Sequence, residues 1–325
     1  MKIRNYWFLA ASLMLAGLAA AATLEGPHMG VVFDARTKAL RPILGMPGSA
    51  TVGDALKLNF ELDQAAVSPL QDYVLATVAG SRQVMVVRPD RRPVVATALQ
   101  GADASPDQIQ LSAHGSAALL YHADRNRIQV VTGLPDAAKV SGELILSAYQ
   151  VPSTLAVADD GHTVLAGVEG TVYLVTPNGE VPILTGLRKI TAMSLGAGRT
   201  ALVADGAKNR IYRISDVSGP AEAIILGDFR DGIDGPSAVA ISDDGNRGFV
   251  ANGRSGTVAM LDLRGQSPIE KIACHCKPTG LDRLAGNGVY RLTEPSDKPM
   301  WVLEAGAHAP RMLFVPAMLP RSSEK

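Results

Sequence analysis

Two cysteines stand one residue apart around a histidine in Ile272–Gly280, IACHCKPTG, and they are the only cysteines of the 325 residues. Thiolates beside an imidazole can hold zinc, but zinc takes four ligands and this cluster leaves at least one missing. Covalent haem attachment needs C-x-x-C-H, which C-H-C-K does not match. Under oxidising conditions paired cysteines tend to cross-link. In a true strand residues i and i+2 lie ~6.6 Å apart, whereas a disulfide needs Cβ atoms ~3.5–4.5 Å apart. A Cys274–Cys276 bridge therefore requires a backbone that has left the strand and turned. That bridge is the favoured reading, with free thiols or an intermolecular bridge as the alternatives.

Oxygen and imidazole donors form the second group. His122, Asp124, Arg125, Asp205, Lys208, Asn209, Asn252, Arg254, Glu294 and Asp297 fall in short polar loops between apolar runs, and GDFRDGIDGPS adds Asp228, Arg230, Asp231 and Asp234. A metal-dependent hydrolase would need three or four such ligands converging on one point. His122, Asp205 and Asn252 occupy similar positions in their segments, so convergence is conceivable. The competing use is turn formation and side-chain bonding to backbone, the commonest work of Asp and Asn in loops. GDFRDGIDG has faintly calcium-loop-like spacing but lacks the following bidentate Glu. No G-x-S-x-G occurs, and the histidines are scattered over different segments.

Whatever these residues do, a repeat must position them. Six segments align, among them LAVADDGHTVLAGVEGTVYLVTPNG from Leu155, AMSLGAGRTALVADGAKNRIYRISDV from Ala192 and AVAISDDGNRGFVANGRSGTVAMLDL from Ala238. Their starts are roughly 37–46 residues apart, the spacing of four-stranded propeller blades. Each reads as a short apolar strand, a turn such as Asp159-Asp160-Gly161, a second strand, a polar loop, a third strand and a weaker fourth. Helical periodicity is nearly absent, so the expected class is all-β. VVFDARTKALRPIL from Val31 reads as the third and fourth strands of an incomplete unit lacking its first two, and DALKLNFELD could add another strand. The architecture expected is a β-propeller, seven-bladed with an irregular N-terminal blade; six blades plus a capping hairpin is the alternative.

The repeat from Ala238 resembles that of exported YVTN-type (surface-layer-like) β-propellers, with an S-x-D-G turn, a "YVAN" strand and a "TVSVID" strand. ALVADGAKNRIYRI and LLYHADRNRIQVV resemble the NHL-type repeat, in which a "VAD-x-x-N-x-RI" phrase recurs. The resemblance extends over about Val31 to Val315, and the repeats from Ala192 and Ala238 carry it most sharply. No WD dipeptide occurs, and Trp301 is the only tryptophan after Trp7. The resemblance implies a propeller and, for the YVTN kind, an extracytoplasmic setting. It does not select among binding scaffolds, lactone hydrolases and quinone-dependent dehydrogenases.

Composition narrows the choice. Lys and Arg number 31 against 31 Asp and Glu, which leaves no overall field toward nucleic acid or an anionic membrane. Aromatic residues make up only 5%, which disfavours sugar platforms and tryptophan-rich quinone sites. MKIRNYWFLAASLMLAGLAAAATLEG combines Lys2 and Arg4, an apolar run and alanines, the layout of a secretory signal peptide over residues 1–22. The expected product is a single domain, 23–325, secreted or periplasmic, with no lipid-attachment cysteine and no membrane span once the signal is cleaved. Its expected function is non-catalytic binding or scaffolding through the loop face, the partner being a protein or small molecule. Two alternatives are a lactonase-like hydrolase with a divalent metal in the central channel, and a structural component of the cell envelope. No other cofactor is expected.

Overall fold

The computed structural model describes residues 26–147, 151–196, 199–219, 222–306 and 309–317. The segment read as a signal peptide lies outside them. Seven antiparallel sheets follow one another along the chain. Blade 1 is β1 (His28–Asp34), β2 (Ala39–Met46) and β3 (Ser49–Val52); blade 2 is β4 (Leu62–Val67), β5 (Val74–Val78), β6 (Val84–Arg88) and β7 (Val95–Ala98). Blade 3 is β8 (Gln108–Leu111), β9 (Ala117–His122), β10 (Arg127–Thr132) and β11 (Lys139–Ile145); blade 4 is β12 (Thr154–Val157), β13 (Val164–Val168), β14 (Thr171–Thr176) and β15 (Gly179–Leu184). Blade 5 is β16 (Ile190–Leu195), β17 (Ala201–Asp205), β18 (Arg210–Ile214) and β19 (Ala223–Gly227). Blade 6 is β20 (Pro236–Ile241), β21 (Arg247–Asn252), β22 (Thr257–Asp262) and β23 (Glu270–Ala273), and blade 7 is β24 (Asp282–Arg283), β25 (Val289–Arg291), β26 (Met300–Glu304) and β27 (Arg311–Val315).

The hydrophobic core is distributed between blades, one cluster per interface. Leu119, Tyr121 and Ile128 of blade 3 meet Leu155, Val164 and Ala166 of blade 4. Met29, Val32 and Ile43 of blade 1 meet Leu284, Val302 and Val315 of blade 7, which closes the ring. Second strands are therefore flanked by protein on both faces, and β9, β13 and β17 are buried at every residue. Outermost strands such as β11, KVSGELI, have one wet edge and carry the charges. This explains why apolar alternation is only partial in the sequence. The ring is a seven-bladed β-propeller.

The N-terminal unit corrects the sequence reading. The β1–β2 hairpin matches the second-to-third hairpins of other blades: Lys38 takes a positive φ of 49° where Asn126 and Asn209 take 49° and 50°. Asp34 then falls at the position of His122, Asp205 and Asn252, the last residue of a second strand. Packing agrees, since Val31 and Leu40 enter the interface with blade 2 as Leu202 and Ile211 enter that of blade 5 with blade 6. Among the described residues blade 1 thus holds a second, a third and a fourth strand and no innermost one. The alignment slipped by one strand because short apolar strands look alike.

DALKLNF is not a strand. Gly53 and Leu56 donate to the carbonyls of Pro42 and Leu40, and Leu56, Leu58 and Phe60 pack into the blade 1–blade 2 interface. These side chains fill space and pair with no ladder, and β4 begins only at Leu62.

Candidate binding channel and loop face

In each full blade the chain enters from one face, the loop face, where second-to-third hairpins and blade-to-blade connections gather. The first-to-second turns lie on the opposite face. Most of the buried polar loop residues are committed to holding backbone. Asp205 is fully buried, and its carboxylate accepts the backbone N–H of Arg188 (2.8 Å), Lys189 (3.2 Å), Ala207 (3.2 Å) and Lys208 (3.1 Å). Asn252, also fully buried, accepts from Asp234 N (3.1 Å) and donates to the Gly232 carbonyl and Thr257 Oγ1. Asn209 accepts from Gly235 N at 2.8 Å, tying blade 5 to the entry of blade 6.

The connection GDFRDGIDG is a capped turn. Asp228 caps a single 3-10 turn at Phe229–Asp231, Asp231 returns a bond to Asp228 N, and Gly232 ends the turn at φ 92°. Asp234 accepts from Arg254 at 3.0 Å. Among the described residues no group of three or more His, Cys, Asp or Glu side chains is placed to hold a metal ion.

His122 differs from its two counterparts. It is 4% exposed, and its Nε2 is buried without a hydrogen-bond partner beside a surface hollow that Asp103, Asp107 and Asp124 also line. The structure does not bring His122, Asp205 and Asn252 together at the axis, because each ends a strand one step out from the channel. What the loop face shows to solvent is a second set of side chains, Asp124, Arg125, Arg230 and Arg254.

Cys274 and Cys276 are joined by a disulfide with Cα atoms 5.0 Å apart. β23 has ended at Ala273, so the backbone there is free of strand geometry. Cys274 N donates to the Gly256 carbonyl at 2.8 Å, which holds the bridge under the β21–β22 hairpin.

The axis holds a cavity of about 570 Å³ walled by the innermost strands, with Ala65, Leu111, Val157, Leu195 and Ile241 among its apolar groups and Gln64, Gln110 and Ser194 among its polar ones. On the face opposite the loops, side chains from four blades meet across the ring. His114 Nδ1 lies 2.7 Å from Asp159 Oδ2, its Nε2 lies 3.7 Å from Asp243 Oδ1, and Arg283 pairs with Asp243. Burial pushes the Asp159 carboxyl up, but hydrogen bonds from His114 and Ser112 outweigh it and hold the group below the usual range. This polar bridge narrows that end of the channel.

Sequence reasoning missed both the bridge and Asp34. The bridge partners come from separate repeats and meet only when the ring closes. Asp34 had a signal: it stands to Ala39 as Asp205 stands to Arg210, and its carboxylate likewise accepts from Arg36 N and Thr37 Oγ1.

No family model matches the sequence, and no curated protein matches it. Solved structures that resemble it include a functionally unknown protein from Desulfotomaculum acetoxidans DSM 771, with 14% identity over 90% of this chain and 100% of that chain and a TM-score of 0.59. Virginiamycin B lyase from Staphylococcus aureus matches at 13% identity over 90% of this chain and 96% of that chain, TM-score 0.53. Kuenenia stuttgartiensis hydrazine synthase matches at 14% identity over 93% of this chain and 99% of that chain, TM-score 0.51. Likeness at these identities shows the fold, a β-propeller shared by proteins of unlike activity.

Proposed function

We propose that the protein is an exported, non-catalytic binding module of the YVTN or NHL kind that takes its ligand at the loop-face mouth of the channel. One observation carries this reading: the loop face divides into buried or half-buried polar groups, most of them spent on backbone N–H donors, and exposed charged groups mounted on the loops so fixed. Asp205, Asn209, Asn252 and Asp228 make the frame. Asp124, Arg125, Arg230 and Arg254 are the contact groups, of both signs, which suits a polar ligand or a mixed-charge protein surface. Fixed loops lower the ordering cost of binding.

The test is affinity capture by the purified mature protein from the envelope and secreted fractions of the source cell, beside an Arg230→Glu/Arg254→Glu variant of equal thermal stability. A ligand held by the first and lost by the second supports the reading. Equal capture by both overturns the assigned face, and stoichiometric divalent metal with hydrolysis of a lactone panel overturns the non-catalytic assignment. Cell fractionation with N-terminal sequencing tests export, which fails if the chain stays cytoplasmic with residues 1–22 attached.

A further inference from the structure

His122 closes β9 at the place where Asp34, Asp205 and Asn252 close their strands, and those three spend their side chains on nearby backbone. His122 is 4% exposed, yet its Nε2 has no hydrogen-bond partner. A buried nitrogen left unpaired costs stability, so its presence needs a reason. Holding the hairpin is not that reason, because another residue does it in blade 3. Asp107, from the blade 2–blade 3 connection, accepts Ala123 N at 2.7 Å through Oδ2, and its own N–H donates to the Tyr121 carbonyl at 2.7 Å.

The imidazole forms part of the wall of a hollow of about 510 Å³ on the loop face, lined also by Arg82, Asp103, Ser105, Asp107, Asp124 and Arg125. That volume suits a small molecule. Three carboxylates against two guanidinium groups leave one negative charge on the wall. The cations are already engaged: Arg125 pairs with Asp103 at 3.2 Å and Asp124 at 3.5 Å, and Arg82 reaches Asp63 at 4.0 Å. Arg127, the cross-strand neighbour of His122, is offset by Glu143 at 3.0 Å. The acceptors are less fully used. Asp107 and Asp124 each have one carboxylate oxygen without a partner among the described residues, and a neutral imidazole protonated at Nδ1 offers a lone pair at Nε2.

We propose that this hollow binds a small organic cation carrying N–H groups, an ammonium or guanidinium ion, which donates to His122 Nε2 and to the carboxylates of Asp107 and Asp124. Hydrogen bonds between a charged donor and these acceptors are of the stronger kind, and the wall's charge favours the same sign of ligand. An anion would meet guanidinium groups already paired and a surplus of carboxylate. The inference deepens the loop-face reading, and rests on it, in that Asp124 and Arg125 belong to both.

Butylguanidinium is the probe, titrated into the purified protein while the imidazole nitrogens are followed by nitrogen-15 NMR. The His122 Nε2 signal should shift and saturate. Tetramethylammonium, with the same charge and no N–H, and butyrate, of opposite charge, should each bind about tenfold or more weakly. His122→Phe, which keeps the ring and removes the nitrogen, should weaken butylguanidinium binding about tenfold or more, and Asp124→Asn about threefold or more. Absence of saturable binding, an unmoved Nε2 signal, or equal binding of tetramethylammonium or butyrate overturns the proposal. Unfolding of His122→Phe would leave the Nε2 signal of the unaltered protein to decide alone. Capture lost in Arg230→Glu/Arg254→Glu is a separate readout, so failure at this hollow and failure of the channel-mouth reading are told apart.

Discussion

Replacing Asp205 with alanine separates a structural carboxylate from a catalytic one. One buried carboxylate holds four backbone N–H groups at 2.8–3.2 Å, two from the blade 4–blade 5 connection and two from its own hairpin. A buried donor left without an acceptor costs about 1–3 kcal/mol, and relaxation with water entry would recover part of that for the two hairpin donors. The expected loss for D205A is therefore about 3–5 kcal/mol, a large share of the roughly 5–15 kcal/mol that holds a domain folded. D205N should cost less, about 1–2 kcal/mol, because Oδ1 carries three of the four bonds and an amide oxygen there keeps them. D124A, at a side chain 70% exposed, should stay within about 0.5 kcal/mol of wild type. Urea unfolding followed by far-ultraviolet circular dichroism reads all three. A D205A cost below about 1 kcal/mol, or a D124A cost equal to it, would refute the division of the loop face into frame and contacts.

Other expectations follow from the same physics. Asp244, whose carboxylate accepts from Ser242 and Asn246, is held down to about 2 from the ordinary 3.8. A folded value below the unfolded one stabilises the protein above the ordinary value, and that contribution fades as pH falls from there toward 2. D244N should flatten the acid limb of a stability profile in that window, and an unchanged limb would count against the assignment. Gln71→Leu removes both bonds by which this side chain links blade 1 to blade 7 and should lower stability by about 2–4 kcal/mol in chemical denaturation. Reducing the Cys274–Cys276 bridge should cost only about 1–2 kcal/mol, since it closes a very short loop; a much larger drop in melting temperature would point to a wider role.

The ring was legible because its signals are local and repeated. Glycines at tight turns, such as Gly161 at φ 69° and Gly245 at φ 68°, recur at a blade's spacing, and polar hairpins mark the ends of second strands. What stayed hidden depends on closure or on an unusual residue. Lys38 adopts the left-handed conformation that Asn126, Asn209 and Gly256 fill in blades 3, 5 and 6, so the β1–β2 hairpin lacks that mark and its pattern reads one strand out of step. His114, Asp159, Asp243 and Arg283 belong to four repeats, and nothing in their local sequence says that they meet. The role of Asp205 could be weighed but not decided from sequence, because a capping carboxylate and a metal ligand look the same until the partners are seen.

Binding is proposed at the loop face, at the end of the channel away from the His114–Asp159–Asp243 bridge. Hydrogen exchange on the protein with its captured ligand bound measures that directly. Slowed exchange should concentrate in the connections and hairpins at 123–126, 206–209, 228–235 and 253–256. Protection centred instead on the opposite turns, at 113–116, 159–162 and 243–246, would contradict it.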